Sequence, residues 1–190
     1  MMNKRISTVY IGAIISAVMG VCYLALGLLM RSWWLLTLGG YYCVLGSLEI
    51  GLIVGKDGKH SVARPTGWML MFLSVPLSGV VILSVVTERG HRFNIVPMLA
   101  IAVLAFTKIT FAAVNLIRSR STRSQRAISL RSILLVDGLV SIFALQRSML
   151  VSFDGMTPSE IVAMNLSTGL AVLAITFLIG LFLAKRGARP

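Results

Sequence analysis

The chain has 190 residues, 57% of them hydrophobic and only 13% charged, with 18 basic against 6 acidic side chains and a net charge of +12. Soluble domains carry about 25% charged residues, so this composition, with a mean hydropathy of +0.90, excludes a water-soluble globule, a disordered chain and a disulfide scaffold. It leaves an integral membrane protein of the all-α class.

A spanning helix needs about 20 mostly apolar residues, and the runs 6–30, 33–55, 66–87, 94–117, 128–153 and 158–184 all qualify. Glu49 interrupts the second run and Lys108 the fourth, while Asp137, Gln146 and Arg147 lie in the fifth. Pro76 falls inside the third, where the missing N–H and the ring predict a kink. Thr157-Pro158-Ser159-Glu160 opens the sixth. Thr157 is placed to cap, Pro158 suits the first helical position, and Glu160 is spaced to complete a capping box.

The basic residues divide unevenly between the two ends of these runs. Lys4, Arg5, Lys56, Lys59, Arg64, Arg118, Arg120, Arg123, Arg126, Lys185, Arg186 and Arg189 gather on one side, against Arg31, Arg89, Arg92 and Arg147 on the other. The positive-inside rule puts the richer side in the cytoplasm. The expected architecture is therefore one integral-membrane domain over residues 1–190, a polytopic bundle of six transmembrane helices arranged as three hairpins, with both termini cytoplasmic. The lipid bilayer is its main partner, and the charge is used for orientation rather than for nucleic acid. Arg118, Arg120, Arg123 and Arg126, interleaved with serines, are candidates for contact with anionic lipid headgroups. Trp33 and Trp34 are expected at the outer interface and Trp68 at the inner one. A membrane-protein partner or a homo-oligomer stays open.

Ionisable groups deep in a span are costly and face the bundle interior. At 1.5 Å per residue, Lys108 and Asp137 each lie about 13 Å from the cytoplasmic end of their helices, and Glu49 about 9 Å. Helices four and five are consecutive, so Lys108 and Asp137 are expected to meet at one level, with Glu49 nearby. Helical spacing aligns Ala105, Lys108, Ala112 and Asn115 on the fourth helix, and Asp137, Ser141, Ala144, Ser148 and Ser152 on the fifth. Gly39, Tyr42, Gly46 and Glu49 form the matching stripe on the second. Tyr42, Asn115, Arg131 and Ser141 are therefore candidates to surround the polar centre, with Arg131 also able to reach Glu49. The trio Glu49, Lys108 and Asp137 sums to −1, so either Glu49 carries a proton or a cation completes the site. Gln146 and Arg147 lie at the outer mouth, where Arg147 is expected to snorkel to the headgroups.

Cys22 and Cys43 both fall inside apolar runs and are expected to be buried thiols. They sit about 24 Å and about 18 Å from the cytoplasmic ends of their helices, a mismatch that disfavours a bridge. No metal-ligand spacing, P-loop, H-E-x-x-H or G-x-S-x-G is present. Neither a metal, a cofactor nor an enzymatic activity is expected.

Two resemblances follow from these residues. The fifth helix, LVDGLVSIFALQRSMLVSF, with the following MTPSEIVAMNLSTG and the fourth-helix FTKITFAAVNLIRSR, resembles a group of uncharacterised six-span membrane proteins of Gram-positive bacteria. That likeness covers most of the chain and implies a bacterial plasma membrane. Ala13-Ile-Ile-Ser-Ala17 resembles the A-x-x-x-A motif in the first helix of the substrate-binding S-components of energy-coupling-factor transporters, which are six-span proteins of similar length. Those proteins carry a long first outer loop, where this chain has only Arg31 and Ser32. Two functions are consistent with the polar centre. One is a small transporter or solute-binding membrane subunit. The other is a non-catalytic accessory, assembly or regulatory subunit whose buried charges hold the bundle together.

Overall fold

A computed structural model describes residues 2–54, 62–86, 95–118, 125–152 and 155–187. Among them are six helices: α1 Met2–Leu29, α2 Trp33–Val54, α3 Ala63–Val86, α4 Ile95–Arg118, α5 Gln125–Ser152 and α6 Pro158–Arg186. Side chains are described from Ala13 onward in α1; those of Asn115, Arg118 and Ser152 lie outside the described set, as do residues Lys56, Lys59, Arg89, Arg92, Arg120, Arg123 and Arg189. Four helices are long and apolar enough to cross a membrane: Trp33–Val54, Ala63–Val86, Gln125–Leu150 and Pro158–Arg186. The described apolar stretches of the other two are Ala13–Leu29 and Ala105–Val114.

α1 turns into α2 within three residues. Ser32 N–H donates to the Gly27 carbonyl at 2.9 Å and Arg31 N–H to the Leu28 carbonyl at 3.4 Å, with Arg31 at φ 50°. This is a Schellman stop with arginine in the left-handed position that glycine usually fills. α1 and α2 then run antiparallel at very close range. A Cβ at Gly39 would come 2.7 Å from the Leu24 backbone N, and one at Gly27 2.8 Å from the Leu36 backbone N. Glycines seven residues apart on each helix, 20 and 27 on α1 and 39 and 46 on α2, lie along this seam and let the backbones approach.

α1 and α2 pack as an antiparallel hairpin, the first of the expected three, and the closest described neighbours of α3 and α4 lie elsewhere in the chain order. α3 packs most closely on α6, and α4 packs on α5. Gly67 explains the first pairing: a Cβ there would meet the Gly180 carbonyl at 2.6 Å, so the two backbones touch. Gly169, with the Val81 side chain 2.8 Å from its would-be Cβ, continues the same seam. α5 occupies the middle, touching α2, α3, α4 and α6, and is the most buried of the four long apolar helices. Pro76 sits inside α3, whose helical span runs unbroken from Ala63 to Val86. α6 starts at the capping box that its sequence predicts. Glu160 N–H donates to Thr157 Oγ1 at 3.4 Å and Thr157 N–H to Glu160 Oε2 at 2.8 Å.

Polarity is distributed in the reverse of a soluble protein. Leu29, Phe72, Val86 and Leu178 face outward, while Glu49, Lys108, Asp137 and Arg147 are buried. An exterior this apolar, wrapped around interior charges, fits a multi-pass membrane protein.

Candidate functional site

Four helices converge on Asp137. α4 and α5 approach closely at Gly138, next to the carboxylate, where Ala112 Cβ lies 3.6 Å and Ile109 Cα 3.8 Å from where a Cβ would be. Lys108 reaches across this contact, and its Nζ donates to Asp137 Oδ1 at 2.7 Å. Ser16 of α1 donates to Oδ2 at 3.0 Å. Both carboxylate oxygens thus have a donor, which offsets part of the cost of removing two charges from water.

Tyr42 of α2 supplies the fourth wall. The Lys108 ammonium lies 4.3 Å from the centre of its ring, a cation–π contact. Ser141 donates to the Asp137 carbonyl at 2.8 Å, so its single proton is committed and the Tyr42 hydroxyl is the donor in the 2.9 Å bond between them. Tyr23 of α1 stacks on Tyr42 with centroids 5.6 Å apart, and Tyr41 meets it edge-on at 6.1 Å. The ring beneath Lys108 is therefore fixed from three directions.

Glu49 lies two helical turns along α2 from Tyr42. It has 0% exposure, and neither carboxylate oxygen has a hydrogen-bond partner. Asp137 and Lys108 are within its electrostatic reach, and the Ser16 hydroxyl, bonded to Asp137, also lies close to it. The centre therefore holds two carboxylates and one ammonium, with one carboxylate fully bonded and the other not. Among the described residues no group of three or more His, Cys, Asp or Glu is placed to hold a metal.

Other candidates sit elsewhere. Arg147 does not snorkel. It is 4% exposed, donates from Nη1 to the Ser84 carbonyl, and stacks 4.9 Å from the Trp34 ring. The reason is that Ser84 lies in the last turn of α3, where carbonyls lack intrahelical donors and the helix dipole is negative. Trp34 is consequently buried at 5% exposure, and only Trp33, at 75%, has the expected outward position. Gln146 turns toward α6, its Nε2 donating to the Met164 carbonyl at 3.4 Å, whereas Arg147 bonds α3. Arg131 makes no hydrogen bond to Glu49 and instead lines a groove between α5 and α6. Arg126 Nε donates to the Leu52 carbonyl at 2.5 Å and so closes the end of α2. Asn115, Arg118, Arg120 and Arg123 fall outside the described side chains. Both cysteines are free thiols, but Cys22 is exposed and Cys43 only partly buried, where both were expected to be buried.

Sequence reasoning missed Ser16, Tyr23, Tyr41 and the interior position of Trp34. Ser16 had a signal: it lies ten residues into the first apolar run, about 15 Å along it, at the level of Lys108 and Asp137. Tyr23, Tyr41 and Trp34 had none, since an aromatic in an apolar run is as well suited to lipid as to a neighbour.

No protein-family model, curated protein or solved structure matches the chain at significant similarity.

Proposed function

We propose that the chain is a six-span plasma-membrane protein with both termini cytoplasmic, acting as a small transporter or solute-binding subunit for a proton or a small cation. Glu49 carries the reading. Buried polar groups in native proteins are almost always hydrogen-bonded, and an intramembrane carboxylate without a partner marks a site for a charged ligand or a proton. Lys108 and Asp137 neutralise each other, so Glu49 has to be met by a proton or a cation to stay in this interior. The orientation is supported by the twelve basic residues on one side against four on the other. α1 and α4 are read as spans from their sequence alone. The likeness to six-span proteins of Gram-positive bacteria is consistent with the same membrane.

The test is flux. The full chain is reconstituted in vesicles enclosing a pH-sensitive dye, and a potassium diffusion potential is imposed with and without sodium. Wild type should move protons or exchange them for the cation above the rate of protein-free vesicles. Glu49→Gln, which keeps the shape and removes the charge, should fall to that background. Equal flux in wild type and Glu49→Gln overturns the assignment.

A second reading is favoured by the other half of the site. Asp137 is fully bonded by residues of two other helices, and the whole centre is closed to solvent. That is the arrangement of an ion pair that sets helix register in a non-catalytic accessory, assembly or regulatory subunit. Under this reading protein-containing vesicles carry no flux at all.

A further inference from the structure

Ser16 stands between the two carboxylates of the buried centre. On one side it packs against α2, its Cβ 3.7 Å from where a Cβ at Gly46 would lie. Glu49 follows Gly46 by three positions and so shares its face of the helix, one turn on. On the other side the Ser16 hydroxyl donates to Asp137 Oδ2 at 3.0 Å, and it also lies close to Glu49. Ser16 and Glu49 both have 0% exposure. A hydroxyl offers one proton and two lone pairs. While that proton points at Asp137, Ser16 is an acceptor for Glu49 and not its donor. This fits a Glu49 carboxylate that finds no hydrogen-bond donor of its own.

The surrounding charge selects what Glu49 can hold. Among the described residues, Asp137 of α5 and Lys108 of α4 are the charged groups that act on it. The Lys108 ammonium lies 2.7 Å from Asp137 Oδ1 and over the Tyr42 ring, on which Tyr23 stacks. A metal cation beside Glu49 would be repelled by that ammonium, and a hard cation takes about six or more oxygen ligands. A proton needs a single acceptor and becomes part of a neutral acid.

We propose that the ligand of Glu49 is a proton and that Ser16 relays it between Glu49 and Asp137. At rest the Glu49 O–H donates to Ser16 Oγ, and the Ser16 O–H donates to Asp137 Oδ2. In the transfer the Glu49 O–H bond breaks as a new O–H bond forms on Ser16. The proton that Ser16 held passes to Asp137 Oδ2. Glu49 is left an anion, Asp137 a neutral acid and Ser16 a hydroxyl again, so charge moves between helices while the trio with its proton stays neutral. Lys108 sets the resting side, because its contact with Asp137 favours the ionised carboxylate there and leaves the proton on Glu49. The inference rests on the reading of Glu49 as the carrier, and adds the ligand and the residue that hands it on.

Infrared spectroscopy of the full chain in lipid, together with proton flux in dye-loaded vesicles, tests it. At neutral pH wild type should show the carbonyl stretch of a protonated carboxylic acid, and Glu49→Gln should remove that band. Ser16→Ala takes away the acceptor. Its band should remain but move to the frequency of an acid without a hydrogen bond, a shift that loss of packing alone does not produce. Its proton flux should fall about a hundredfold, the lower end of what a positioned proton-transfer group supplies. Thermal melting in detergent checks that each variant is folded. An unshifted band or an unchanged flux in Ser16→Ala overturns the relay and leaves Glu49 as the carrier. A wild type without the acid band, whose flux requires sodium, overturns the proton and leaves Glu49 as the carrier of a cation. A band that survives Glu49→Gln overturns the placement of the proton. Absence of any flux in wild type overturns the carrier reading and the relay with it.

Discussion

Lys108 and Asp137 are 29 positions apart and touch at 2.7 Å, and their contact carries a clear energetic expectation. Breaking one member of a buried pair strands a charge and costs about 3–5 kcal/mol, whereas replacing both by apolar residues of similar size is close to neutral. Lys108→Met and Asp137→Leu should each lower the melting temperature in detergent, and the double variant should recover most of the loss. Ser16, deprived of its acceptor in the double variant, has the carbonyl of its own preceding turn as a substitute. Wild-type melting of both single variants would contradict the pair. Arg147 illustrates why the depth of a charge does not by itself decide its direction. It lies near a helix end, where the headgroups are within reach, yet the last turn of α3 offers a carbonyl and Trp34 a ring face. A guanidinium is weakly hydrated and stacks well, so the interior contacts prevail over the interface.

At the scale of elements, small residues decide which helices pair. The contact of α3 with α6 is made at Gly67 and Gly180, and no side chain fits between the backbones there. Gly67→Leu should therefore separate the two helices, with a loss of about 1–3 kcal/mol or more from overpacking. Thermal melting in detergent reads this directly, with Gly51→Leu as the control, because nothing lies within 4 Å of the Cβ position at Gly51. A Gly67→Leu protein that melts like the control would show that the seam is not tight. Arginines from α5 tie the helix ends together in a complementary way. Arg126 bonds the last turn of α2 near one end, and Arg147 bonds the last turn of α3 near the other. Both place a cation against the negative end of a helix dipole.

For the whole molecule, the contacts define a consistent alternation. The start of α5 meets the end of α2, and the later part of α5 meets the end of α3. Gly187, just after α6, lies against Arg64 at the start of α3. The ends of α2 and α6 and the starts of α3 and α5 are thus linked by these contacts. Cysteines introduced at Lys4 and Arg189, in a background with Cys22 and Cys43 replaced by serine, should resist a membrane-impermeant thiol reagent in intact cells and react after permeabilisation. Labelling of either position from outside would reverse the orientation. The exterior of this assembly is what lipid requires, with Phe72 and Leu178 outward and the charges in the middle.

The amino-acid sequence by itself determines the helical class, the approximate helix limits and the start of α6. Those properties follow from short-range rules: a run of about 20 apolar residues must satisfy its own backbone as a helix in lipid, and Thr157, Pro158 and Glu160 cap within one turn. It also supplies the level at which Lys108 and Asp137 meet, because rise per residue converts position into depth. Which helices are neighbours came only with the tertiary structure. Gly67 reads the same in sequence whether it faces lipid or Gly180, and α3 could have paired with α4 by chain order alone. The partners of Arg147, Arg131 and Asp137 follow from that choice of neighbours. An interior carbonyl, an open groove or the hydroxyl of Ser16 becomes available only once the helices are packed, since a side chain's energy in lipid depends on what stands opposite it and not on where it lies along its own helix.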